Sequence, residues 1–180
     1  LVEDDGFRLP HAVHQRHLLE RDRHDLPGEA ARIHRRRGFH VAVEGEGLHF
    51  EYFRGEFDSM PDFSNMKPVS RGMISDVTIP VTADAEDFAV RYLGYINIPE
   101  DGMYTFILDS DDGSLMFLDG QKVIDNDGLH ASLKKKAGVA LGKGFHPVEI
   151  RFFQKKGGRN LSLEIEGTTG KISATSLLVH

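Results

Sequence analysis

The chain contains no cysteine and no tryptophan. The first absence excludes a disulfide framework, thiol catalysis and a cysteine-bound metal, and it fits any compartment. The second removes the largest aromatic surface on which a flat ligand can stack. No apolar run approaches the roughly 20 residues of a membrane helix, so no membrane insertion is expected. Positive charge is in deficit: 22 Lys and Arg face 28 Asp and Glu, a net charge of -6. That balance argues against a general nucleic-acid binder. What is present is 180 residues, 39% hydrophobic and 28% charged. This suffices for one domain with a genuine core and a modest extension.

The extension lies at the front. Residues 1–43 hold six of the ten histidines, eight arginines and no lysine. Two stretches there, "AVHQRHLLERDRH" and "LPGEAARIHRRRG", read as short helices, the second with Pro27 near its start and Gly38 at its end. Large apolar residues are few, so such helices must lean on something else. His14 and His17 stand three apart, but two histidines without a third ligand describe a solvated helix face better than a metal site. The expected division is residues 1–45 as an extension or linker from a neighbouring domain and residues 46–180 as one β-domain.

From Gly47 onward, short runs alternate apolar and polar residues at period 2, broken by Gly, Pro, Asp and Asn. "GLHFEYFRG" sets Leu48, Phe50 and Tyr52 on one face. "DFAVRYLGYINIP" does the same for Phe88, Val90, Tyr92, Ile96 and Ile98, and "MYTFILD" for Tyr104, Phe106 and Leu108. Three hairpins are expected: one at "PEDG" (99–102), one at Asp119-Gly120, and one at Lys156-Gly157-Gly158. In the last, Phe145, Val148, Ile150 and Phe152 are expected to face Leu161, Leu163 and Ile165. The fold class is therefore all-β, an antiparallel sandwich or barrel.

Six aspartates and no glutamate lie between Asp109 and His130. Turn chemistry accounts for most of them, since Asp bonds nearby backbone N–H groups. Asp111-Asp112-Gly113 is different, because adjacent carboxylates repel unless a cation or hydrogen-bond donors neutralise them. The stretch is not an EF-hand: Asp109, Asp111 and Gly113 fall at loop positions 1, 3 and 5, without the Gly at 6 and Glu at 12. Catalytic constellations are missing too. There is no G-x-S-x-G and no H-E-x-x-H, and "GVALGKG" fails as a phosphate loop by one residue of spacing and by Gly144 at the hydroxyl position. Asn160-Leu161-Ser162 is a glycosylation sequon placed in a strand. The chain itself is thus expected to be non-catalytic.

The order of "GLHFEYFRG", "FAVRYLGYINIPEDGMYTFILDSDDGSLMFLDGQKVIDNDGLH", "LGKGFHPVEIRFFQKKGG" and "LSLEIEG" resembles the PA14 domain family. The likeness covers about residues 46–168. It implies a β-sandwich of secreted, cell-surface or bacterial periplasmic proteins, with a carbohydrate (glycan) ligand and neighbouring domains of the same polypeptide, such as a glycoside hydrolase, as partners. Some members use Ca²⁺ held by two Asp joined by a cis peptide. By position these are Asp111 and Asp112, with Gln154 as a further metal ligand from the late loop. Asn126, Asp127, Gly157, Gly158 and Asn160 are the implied additional ligand-binding residues. Lys155, Lys156 and Arg159 depart from the calcium-using pattern, and either lysine could instead neutralise the pair. Tyr52, Tyr95 and Phe153 are the aromatics available to a sugar, although aromatics alternating in strands more often belong to the core. Two functions stay open: a carbohydrate-binding module, or a structural domain that spaces or docks a catalytic partner.

Overall fold

The computed structural model describes residues 36–38, 42–81, 83–84 and 86–180. The two helical stretches expected before Gly38, and His14 and His17, lie almost wholly outside the described residues. Residues Arg35–His180 make one compact unit. Its described residues form eleven strands: β1 (Leu48–Arg54), β2 (Ser70–Ile74), β3 (Phe88–Ile98), β4 (Gly102–Asp111), β5 (Ser114–Leu118), β6 (Gln121–Asn126), β7 (Leu133–Leu141), β8 (Gly144–Gln154), β9 (Asn160–Gly167), β10 (Gly170–Ile172) and β11 (Leu178–Val179). The only helical pieces among the described residues are two single 3₁₀ turns, Phe63–Asn65 and Ala174–Ser176.

Two antiparallel sheets result. The larger runs β2-β1-β3-β8-β5-β6, with β11 added to β3; the smaller runs β10-β9-β4-β7. Period-2 faces explain the packing. Phe88, Val90, Tyr92, Ile96 and Ile98 of β3 meet Tyr104, Phe106 and Leu108 of β4 in one core, joined by Met116, Val148, Ile150, Phe152, Leu163 and Ile165. The all-β sandwich expected from the sequence is therefore what the chain forms.

Its connections differ from expectation. The Asp119-Gly120 turn does close a hairpin, β5 against β6. The other two turns close none. β3 pairs with β1, β8 and β11, whereas β4 pairs with β7 and β9. β8 likewise pairs with β3 and β5, and β9 with β4 and β10. At 99–102 and 155–159 the chain crosses from one sheet to the other. Gly, Pro and Asp announce a reversal, and the same reversal serves a hairpin or a step of about 10 Å between stacked sheets.

One core residue was also misassigned. Even positions of β8 point inward, so His146, fully buried, takes the place expected for Phe145, which is only half-buried. Strand phase outranks the hydrophobicity of a single side chain.

A second, smaller cluster sits on the outer face of the large sheet. Phe53, Ala89 and Phe153 are cross-strand partners there, covered by Phe63 with Phe57, Met60 and Met66. The segment between β1 and β2 is thereby folded back onto the sheet. For the main core, Phe106→Ala is expected to lower the unfolding free energy by about 3–5 kcal/mol, read from denaturant titration. A loss below about 1 kcal/mol would mean the two sheets do not meet at this ring.

Candidate ligand site at the sheet crossover

β4 ends at Asp111 in the small sheet, and β5 begins at Ser114 in the large one. Asp111-Asp112-Gly113 is thus the crossover between them, and the Asp111–Asp112 peptide is cis. Gly113 has no room for a side chain: a Cβ would lie 2.4 Å from the Phe153 ring and 2.9 Å from Gly128 N. Only glycine lets the crossover pass so close to the outer cluster.

Asp112 is buried, at 6% exposure. Its Oδ2 accepts from Lys155 N at 2.9 Å and its Oδ1 from His130 N at 3.2 Å. One carboxylate therefore joins the β6–β7 loop to the β8–β9 loop. Asp111 is half-buried, and the nearby Ser132 backbone favours its charged form. Its Oδ2 rests against Gly158, where a Cβ would sit 2.8 Å away. Burial, and then the charge of Asp112, raise the Asp111 carboxyl above its ordinary value.

The implied ligand residues are placed unevenly around this pair. Asn160 is the cross-strand partner of Asp111, and its Nδ2 reaches Ser132 Oγ at 3.3 Å. Gly157 adopts φ +91° with open space where a side chain would be, so the loop backbone there is accessible. Gln154 is fully buried. Its Nε2 donates to Gly158 O at 2.9 Å, and its Oε1 has no partner among the described residues. Asp127 spends Oδ1 on Met60 N (2.7 Å) and Gly128 N (2.8 Å), so it fastens the β1–β2 segment to the rim. Asn126 lies beneath the rim at 2% exposure, its Nδ2 bonding Ser110 Oγ and Leu133 O, both at 2.9 Å. Its Oδ1, like Gln154 Oε1, has no hydrogen-bond partner among the described residues.

The basic late loop is arranged unlike the expectation. The Lys155 ammonium pairs with Asp58, not with the aspartates. Arg159 Nη1 donates to Asp84 O at 2.9 Å, and Lys156 is exposed. Tyr52, Tyr95 and Phe153, at 2%, 6% and 0% exposure, are core residues and offer no platform. The exposed apolar side chains flanking the site are instead Leu129 and Leu133.

Sequence reasoning missed the two backbone donors of Asp112, the Gly158 cradle and the β1–β2 segment as a buttress. The only advance sign of the last was the apolar series Phe57, Met60, Phe63 and Met66 between strands. Among the described residues no three His, Asp or Glu converge as a metal site. A cation at this pair would need amide and carbonyl oxygens beside the two carboxylates.

In the absence of divalent cations, Asp111→Asn is expected to raise the thermal midpoint at neutral pH. The sign follows from the raised carboxyl: the folded state favours its protonated form, an advantage present at low pH and lost as pH rises through the shifted value. The gain should vanish as pH falls into the carboxylate range. A lower midpoint at neutral pH would contradict this placement.

The family model of the PA14 domain matches residues 46–175. The PA14 sugar-binding domain of an RTX adhesin superposes with a TM-score of 0.63 at 18% identity, covering 77% of this chain and 99% of that one. The PA14 domain of the MpAFP antifreeze protein gives 0.63 at 13% identity, covering 78% and 94%. A β-hexosaminidase of Porphyromonas gingivalis is 28% identical over 120 residues, which is 61% of this chain but 15% of that protein. The chain thus spans a small part of that relative. With most of its length matched, and two sheets stacked as in these domains, the chain belongs to the PA14 domain family.

Proposed function

We propose that this chain is a carbohydrate-binding module of a secreted or surface protein, and that it binds glycan through Ca²⁺ at the Asp111–Asp112 crossover. The observation that carries the reading is a charge imbalance. Two neighbouring carboxylates share a half-buried rim, burial and mutual repulsion raise one of them, and two of the three nearby cations are engaged elsewhere. The donor set fits a hard cation. Asp111 and Asp112 would supply carboxylate oxygens, Gln154 a buried carboxamide oxygen without a partner among the described residues, and Gly157 and Gly158 backbone carbonyls. All are oxygen ligands, the kind Ca²⁺ prefers. The ion would supply a charged centre for vicinal hydroxyls. Asn160 would bond further hydroxyls, and Leu129 would be an apolar neighbour for a sugar's C–H face.

The sugar-binding domain of the RTX adhesin, with the same fold, supports the ligand class. The partial match to a β-hexosaminidase supports a glycan-degrading parent, with catalysis in neighbouring domains of the polypeptide. The structural-domain reading draws on one observation: Asp112 and Asp127 satisfy themselves by stapling loops together.

Thermal melts separate the two. Ca²⁺ at 100 times its dissociation constant should add about 2.7 kcal/mol of stability, reversed by EDTA. Asp111→Asn should abolish that gain, and so should Gly158→Val, whose side chain would press on Asp111. A glycan array should give calcium-dependent signals with the wild-type chain. Absence of any calcium-induced shift, with equal array signals in EDTA, would leave the structural reading standing.

A further inference from the structure

β8 spans the sandwich. Gln154 lies at the end beside the acidic pair, and His146 near the opposite end. A second polar cluster gathers at that opposite pole, around a fully buried imidazole. His146 Nδ1 faces both oxygens of Asp119, at 3.1 and 3.2 Å, and its Nε2 faces Gly142 O at 2.9 Å. Both ring nitrogens meet acceptors. Only the doubly protonated ring can donate to both; a neutral ring would leave one lone pair against an oxygen.

Arg36 meets the other main-chain group of the same residue, Gly142 N. Gly142 N donates to Arg36 O at 2.6 Å, while Arg36 N donates to Ala140 O at 3.0 Å, so Arg36 bridges Leu141 as a parallel partner. Its guanidinium reaches Leu118 O at 2.5 Å and Gln121 Oε1 at 3.0 Å, and stands 4.0 Å from Asp119 Oδ2. Gly38 lies flush on the next turn: a Cβ would fall 2.6 Å from Lys143 O and 2.7 Å from Gly144 Cα. Residues 36–38 are therefore a strap. It is bonded through Gly142 to the imidazole and through its guanidinium to the β5–β6 turn.

We propose that His146 and Arg36 form a proton-dependent latch. The latch holds residues 36–38 on the pole opposite the acidic pair and so fixes where the preceding chain joins the sandwich. The charged groups at the imidazole are Asp119 from the β5–β6 turn and Arg36 from the strap. Asp101, from the β3–β4 crossover, accepts from Lys143 N one turn away at 2.7 Å. The strand partner of His146 on β3 is the apolar Ile96. Burial alone would lower the imidazole's value, and Arg36 opposes protonation as well. The Asp119 bond, the Gly142 carbonyl and the Asp119 charge outweigh both, and the net direction is upward. A raised histidine holds its stabilisation below its ordinary value and loses it as pH rises through the shifted one. The latch is closed at acid to neutral pH and loosens in alkali.

The test is hydrogen exchange of the ¹⁵N-labelled 180-residue chain, followed with the His146 ring nitrogens from about pH 6 to about pH 9. At the acid end both ring nitrogens should carry protons. Protection of the Arg36 and Gly142 amides should drop about tenfold as the ring loses one, while Ile150 in mid-strand keeps its protection. Asp119→Asn should move this step to lower pH. Arg36→Gln should move it to higher pH while removing protection from Gly142. Flat protection of Gly142 while the ring titrates would overturn the proposal, as would a ring carrying a single proton at the acid end. The wild-type titration decides even where a variant fails to fold.

Discussion

The site depends on one buried carboxylate. Asp112 takes two backbone N–H groups, one from each of two loops, at the point where the chain leaves the small sheet for the large one. A buried charge is tolerated only with such donors. By accepting both, Asp112 sets the spacing of the 127–132 and 155–159 loops and leaves the neighbouring Asp111 facing outward between them. The second cluster, Phe53, Phe63, Ala89 and Phe153, supports this from the outer face, because Gly113 packs directly on the Phe153 ring. Held this way, the rim is positioned by strands rather than by the flexibility of its loops.

The two poles of the sandwich use the same chemistry for different ends. At the crossover, two carboxylates lie side by side while Lys155 and Arg159 bond elsewhere, and uncompensated negative charge is what a cation-dependent site requires before the ion arrives. At the far pole a single carboxylate, Asp119, stands between two cationic side chains, His146 and Arg36. The two polar clusters are thus separated by the length of β8.

Much of this was legible in the residues. Period-2 alternation gave the inward faces of β3 and β4, Asp119-Gly120 gave a true hairpin, and the adjacency of Asp111 and Asp112 singled that pair out, though not as the crossover between sheets. Other features depend on contacts that the sequence does not encode locally. The turns at 99–102 and 155–159 carry the residues of a hairpin, yet they step between sheets, because the destination of a strand is set by its distant partners. His146 looks out of place in a core until Asp119 and Gly142 are brought to it. Lys155 looked like a counter-charge for the aspartates. Its main chain does bond Asp112, but its ammonium turns to Asp58, which is 97 residues away in the chain. The aromatics that suggested a sugar platform are buried, Tyr52 in the main core, Phe153 in the outer cluster and Tyr95 at 6% exposure.

The central claim is that Asp111 and Asp112 together hold a calcium ion that meets a sugar. The most direct measurement is an anomalous difference map from crystals of the chain grown with calcium. The account predicts a single strong peak bounded by both carboxylates and by Gln154. A map with no peak there, or with one at Asp58 instead, would contradict it.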